Sequence, residues 1–218
     1  MKQVNLVIDE KQVEVEEGKT LFQAAETVGV KIPTLCYDKR LFPFGACRLC
    51  SVEVDDGRKQ RIVASCVYPV EEGLVVRTDT PRVRAIRKVI LELLLATSSR
   101  GQVEELGLSY KAEADEYEQE RSFCILCGLC VRYCSEVKGK NVLGFIRRGV
   151  ERQVVIFPEN ARKHCPTCDG GCIKICPTGV ITNRFAIPVP RFGSKYPTLF
   201  PVKMWDEYNI EDLSETVK

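Results

Sequence analysis

Twelve cysteines in 218 residues fall into three groups of four, and no other feature constrains the chain as tightly. The groups are Cys36, Cys47, Cys50 and Cys66; Cys124, Cys127, Cys130 and Cys134; and Cys165, Cys168, Cys172 and Cys176. In an exported chain such a count would predict a disulfide framework. Residues 1–5, MKQVN, have no apolar core of a secretory signal. The longest apolar candidate, Val83 to Ala96, is broken by Arg84, Arg87, Lys88 and Glu92, short of the ~20 apolar residues that span a bilayer. The sequence therefore predicts a cytoplasmic protein without membrane insertion, whose reduced thiols are free to hold metal. A formal net charge of +2 argues against a nucleic-acid partner.

Spacing narrows the metal. The first group reads Cys-x10-Cys-x2-Cys-x15-Cys, with three ligands in one stretch and the last from a distant segment. That is the ferredoxin logic for a [2Fe–2S] cluster, although the four-residue gap of plant ferredoxins is missing. Gly45-Ala46 would let the backbone pass close to the sulfurs. The alternative is a four-thiolate zinc site, which usually pairs two short hooks where this group has one. The other groups read Cys-x2-Cys-x2-Cys-x3-Cys and Cys-x2-Cys-x3-Cys-x3-Cys-Pro, close to the bacterial ferredoxin run. The later run has one extra residue within Asp169-Gly170-Gly171, and the earlier one has Ser135 in place of the closing proline. Ile125, Leu126, Leu129, Ile173 and Ile175 lie between the ligands and would keep water from two [4Fe–4S] clusters. In two-cluster ferredoxins the fourth cysteine of each run serves the other run's cluster. One cluster is thus expected on Cys124, Cys127, Cys130 and Cys176, the other on Cys134, Cys165, Cys168 and Cys172. His164, the only histidine, is superfluous as a ligand and is read as a surface or supporting residue.

The fold class expected is α+β. Residues 1–80 read as a β-grasp [2Fe–2S] domain. Val4, Leu6 and Ile8 alternate, Val13 and Val15 continue after a turn at Asp9-Glu10, and Thr20 caps a helix bearing Leu21, Ala24, Ala25 and Val28. Further strands are expected at Ser51 to Val54, Gln60 to Val63 and Leu74 to Arg77. Residues 81–121 form a helical connector. Its first helix starts at Thr80-Pro81 and is expected to lay Ile86, Ile90, Leu93 and Leu94 on the sheet. The acidic stretch from Gln102 to Glu120 reads as a surface connector or solvated helix. Residues 122–183 form the bacterial-type two-[4Fe–4S] domain. Residues 184–218, with Pro188, Pro190, Pro197 and Pro201 among aromatic side chains, read as an extended arm.

On these motifs the chain resembles a known family. "IPTLCYDKRL", "GACRLCSVEV" and "ASCVYPVEEGLVV" are similar to the N-terminal [2Fe–2S] domain of the large peripheral iron–sulfur subunit of complex I, and "RKVILELLLA" to the helix that follows it. The small diaphorase-type iron–sulfur subunits of NAD-reducing hydrogenases share this plan, as do parts of iron-only hydrogenases and NAD-linked formate dehydrogenases. "CILCGLCVRYC" and the later run resemble the family's two-cubane segment. The resemblance implies an electron-transfer subunit with one [2Fe–2S] and two [4Fe–4S] clusters and no catalytic site of its own. Its partners would be a flavoprotein that oxidises NAD(P)H and a hydrogenase or formate dehydrogenase catalytic subunit, with soluble ferredoxin as a further candidate. Branching of electrons, or bifurcation, is compatible with the extra clusters. A free ferredoxin-like carrier and a zinc-stabilised adaptor are the rival readings. Thr97 to Arg121 has neither His nor Cys, so the cluster that complex I places there on one histidine and three cysteines is expected to be absent.

Overall fold

The computed structural model describes residues 2–117 and 122–181. Strands β1 (Gln3–Ile8) and β2 (Lys11–Glu16) form a hairpin with Leu6 opposite Val13 and Val4 opposite Val15. The two turn residues, Asp9 (φ 46°) and Glu10 (φ 68°), are both left-handed, the geometry that a tight two-residue hairpin turn demands. Asp9 stabilises it by accepting the Thr78 N–H at 2.7 Å and the Thr78 hydroxyl. Helix α1 (Leu21–Thr27) follows. Thr20 accepts the Gln23 N–H, and the Gln23 side chain accepts the Thr20 N–H in return, a capping box.

Strands β3 (Ser51–Asp55), β4 (Gln60–Ala64) and β5 (Val75–Arg77) complete a sheet of order β2-β1-β5-β3-β4. Only β1 and β5 run parallel. Leu21, Phe22, Ala24 and Ala25 of α1 pack with Leu6, Ile8, Val52, Val54, Leu74 and Val76 of the sheet side in one apolar core. This is the small mixed sheet with a helix across it that the sequence predicts.

Helix α2 (Pro81–Thr97) begins where expected, with the Thr80 hydroxyl accepting the Val83 N–H. Its inner face differs from the expected stripe. Val83, Arg87 and Leu91 are buried, whereas Leu93 is 50% exposed. A guanidinium occupies the middle of the buried stripe because its donors are satisfied. Arg87 Nε and Nη2 reach the carbonyls of Leu49 (3.2 Å) and Ser51 (2.8 Å), and Nη1 reaches the Tyr110 hydroxyl (3.3 Å). Apolar periodicity passes over such a residue. Helix α2 packs on α3 (Gln102–Tyr110) as well as on β3. A Cβ on Gly107 would lie 2.8 Å from Leu95 Cδ1, so the two helices meet at a side chain of no size. The acidic stretch is thus more than a solvated connector, since Val103 of α3 is fully buried.

The C-terminal part is built from shorter pieces. Helix α4 (Leu129–Arg132) runs into a π-helical turn over Tyr133–Val137. Strands β6 (Leu143–Ile146) and β7 (Gln153–Ile156) form a hairpin that the sequence pattern does not announce. Helices α5 (Pro158–His164) and α6 (Gly171–Lys174) follow. The expected C-terminal arm lies outside the described residues.

Candidate metal centres

The first centre forms where the loop around residues 36–50 meets the end of β4. Cys36, Cys47, Cys50 and Cys66 are all buried, none more than 7% exposed. Left-handed φ at Gly45 (68°) and Arg48 (60°) turns the chain on both sides of Cys47. The Cys47 N–H then points at Cys36 Sγ, 3.4 Å away. The Ser65 N–H and hydroxyl hold the Cys50 carbonyl at 3.1 and 2.8 Å, which draws Cys66 to the same place. The four thiols crowd one another. Hydrogen bonds from the Cys47 and Cys66 thiols lower the Cys36 pKa to about 2, and the Cys66 thiol lowers Cys50 to about 7. The same contacts drive Cys47 and Cys66 upward. Four thiolates this close cannot coexist without cationic metal between them, which is the chemistry of a thiolate-bound metal centre.

Two further cavities are walled by cysteines from both runs. One is lined by Cys124, Cys127, Cys130 and Cys176, with Ile125 and Val154 among its apolar walls. The other is lined by Cys134, Cys165, Cys168 and Cys172, with Val142, Leu143 and Ile156. Left-handed φ at Leu126 (52°) and Gly128 (74°) coils the chain so that three thiols of the first run share one cavity. Helix α4 and the turn after it carry Cys134 onward to the second cavity. There the Val142 N–H donates to Cys134 Sγ at 3.3 Å, the kind of contact that tunes an iron–sulfur centre. Burial pushes the Cys127 thiol up to about 12, Cys130 well above its usual value and Cys172 to about 11. Loading metal here must therefore expel protons.

Among the described residues no three Cys, His, Asp or Glu side chains close on one point as a single-ion site requires. The eight C-terminal thiols line two cavities, an arrangement with room for a polynuclear centre. His164 sits on the rim of the second cavity beside Cys165.

Sequence reasoning missed Arg132. It lies in α4, between Cys130 and Cys134, and nothing in the sequence around it singles it out. In the structure its Nη2 donates to the Cys36 carbonyl at 2.9 Å and its Nη1 to the Phe42 carbonyl. Its guanidinium lies 4.9 Å from the Phe44 ring centre. No local signal marks this, because the partners are about ninety residues away in the chain.

Residues 1–81 match the family of 2Fe-2S iron–sulfur cluster binding domains, and residues 115–182 match the ferredoxin-like domain of NADH-quinone oxidoreductase subunit 3. One subunit of the NADH-quinone oxidoreductase of Rhizobium meliloti (strain 1021) is 31% identical over 231 aligned positions, covering 93% of this chain and 25% of the relative. The NADH-ubiquinone oxidoreductase 75 kDa subunit of Reclinomonas americana is 28% identical, covering 98% of this chain and 33% of its own length. The chain spans about a quarter to a third of the length of these curated relatives. A chain from the crystal structure of an NAD+-reducing [NiFe]-hydrogenase in the H2-reduced state superposes with a TM-score of 0.61 at 26% identity, covering 91% of both chains. The protein therefore carries a 2Fe-2S ferredoxin domain followed by a 4Fe-4S ferredoxin-like domain, and it resembles the diaphorase-type iron–sulfur subunits expected from its motifs.

Proposed function

We propose that this chain is an electron-relay subunit between a flavoprotein that oxidises NAD(P)H and a catalytic subunit, with a hydrogenase as the first choice. The observation that carries the reading is a continuous apolar cluster in which Cys36 and Cys47 of the first centre pack with Cys127 of the second, together with Leu129 and Tyr133. A second cluster joins Cys130, Cys124 and Cys176 to Cys134, Cys165 and Cys172. The three centres thus adjoin through dry, packed side chains. When bound, iron–sulfur clusters take up and release single electrons.

In this reading Cys36, Cys47, Cys50 and Cys66, within residues 1–80, hold a [2Fe–2S] cluster. Cys124, Cys127, Cys130 and Cys176 hold one [4Fe–4S] cluster, and Cys134, Cys165, Cys168 and Cys172 the other, within residues 122–183. The two cavities support this crossed assignment, because each brings together three thiols of one run and one of the other. The chain itself orients the ligands and excludes water. Chemistry on NAD(P)H and on the final substrate belongs to the partners, and the complex works in the cytoplasm. The hydrogenase is preferred over a formate dehydrogenase because the hydrogenase chain matches in length as well as in fold. No helix among the described residues is long and apolar enough to cross a membrane.

The test is anaerobic preparation with metal and sulfide analysis, followed by identification of co-purifying subunits. About ten iron atoms per chain are expected if each set takes its usual cluster, with a flavoprotein and a nickel–iron subunit in the complex. Stoichiometric zinc with little sulfide, or NADH oxidation by the flavin-free chain alone, would overturn the proposal.

A further inference from the structure

Arg132 is a buried cation with no anionic partner among the described residues. It is only 9% exposed, and a guanidinium stays charged at any pH a protein experiences. Among the described residues no carboxylate forms an ion pair with it. Glu136, one helical turn on, instead accepts the Phe42 N–H at 2.9 Å. The guanidinium gives two of its donors to the Cys36 and Phe42 carbonyls, while its buried Nε–H has no acceptor. The other buried arginine, Arg87, spreads all three nitrogens over three oxygens and leaves none over. An unpaired buried charge is expensive, and a chain does not usually keep one without a compensating group.

The place of the charge indicates what compensates it. One side of Arg132 touches the backbone of Cys36, a residue of the first centre. Its own helix carries Cys130, which lines the cavity with Cys124, Cys127 and Cys176, and runs on to Cys134, which lines the cavity with Cys165, Cys168 and Cys172. Four thiolates and the inorganic sulfides outweigh the iron charge in such clusters, so each loaded centre is a net anion. Resting on the cluster assignment above, we propose that Arg132 is a positioning residue whose fixed charge is the electrostatic partner of the first centre, favouring its reduced form, while its bonds to Cys36 and Phe42 dock the two ferredoxin units. Reduction adds a negative charge beside the guanidinium. The reduced form therefore gains more from Arg132 than the oxidised form, and the reduction potential of that centre is raised.

The experiment uses the full chain, prepared anaerobically, as Arg132→Gln, Arg132→Met and Arg132→Lys. Iron and sulfide are measured first. Their absence from the parent chain would remove the cluster reading itself, independently of Arg132. Redox titration is then followed by electron paramagnetic resonance at temperatures that separate the binuclear from the cubane signals. In the neutral variants the binuclear reduction equilibrium should shift about tenfold against reduction, which is about 59 mV for one electron. The cubane signals should shift less. Arg132→Lys keeps the charge and loses the forked bonds, so its binuclear potential should stay near the parent's. An unshifted binuclear potential in a cluster-loaded neutral variant overturns the proposal. So does an equal shift in the lysine and neutral variants, because contact geometry rather than charge would then set the potential. Should both neutral variants fail to hold clusters, the lysine variant decides: loaded and unshifted supports the proposal, and empty overturns it.

Discussion

The two ferredoxin units solve the same problem with opposite allocations of core. In the N-terminal unit a five-stranded sheet and α1 enclose Leu6, Ile8, Leu21, Val52, Val54, Leu74 and Val76, each no more than 1% exposed. The ligand loop is laid against this finished frame, and all four thiols are buried. In the C-terminal unit the sheet is one hairpin of four-residue strands, and α4 and α6 have four residues each. Cysteines make up much of its apolar cluster, and five of its eight thiols are only half-buried. A unit of this size is only marginally stable on side-chain burial alone. The N-terminal unit is therefore expected to hold its fold without metal, whereas the C-terminal unit is expected to draw folding energy from metal binding.

That contrast can be broken most directly by removing the metal. Anaerobic chelation of the full chain should abolish amide-exchange protection across β6, β7 and α6 while β1, β3 and β5 stay protected. Exchange read by mass spectrometry would show it, and equal loss in both units would end the comparison. Next in size are single ligand losses. Cys134→Ser should remove the same cubane signal as Cys168→Ser, and Cys176→Ser the same one as Cys127→Ser. If Cys134→Ser instead removes the signal assigned through Cys127→Ser, each run closes on itself and the crossed assignment fails.

Smaller effects belong to the N-terminal frame. Leu6→Ala leaves a hole in a packed core and should cost about 2–5 kcal/mol. Denaturant titration of the chelated chain isolates that transition, because only this unit is expected to remain folded. A loss below about 1 kcal/mol would mean that its core, too, is loosely packed. Thr20→Ala removes the capping box of α1 and should cost about 1 kcal/mol in the same titration. The C-terminal unit has no counterpart to remove, since α4 and α6 start at Gly128 and Gly170 with no side-chain cap.

Legibility in the sequence follows the same division. The β1–β2 hairpin, α1 and the start of α2 are encoded locally, by alternation at Val4, Leu6 and Ile8 and by caps at Thr20 and Thr80, and all stand where those signals put them. The inner face of α2 departs from its apolar pattern at Leu93 because Arg87 holds a position that the pattern reserves for an apolar side chain. Helix α3 hides its buried side because glutamates surround its one fully buried residue, Val103. The β6–β7 hairpin leaves little trace because strands of four residues are too short to build up an alternating pattern.

By itself the sequence determined the inventory: twelve thiols in three sets of four, the spacing from which each set is read as a ligand group, and the local elements that carry them. Only the tertiary structure decided that Cys36, Cys47 and Cys127 pack in one cluster, and that Arg87 and Arg132 lie inside rather than in solvent. The reason is physical. Ligand spacing and helix caps act over a few residues and leave a pattern in the chain. The burial of a charge depends on acceptors such as the Cys36 carbonyl, about ninety residues from Arg132, which become its neighbours only when the two units dock.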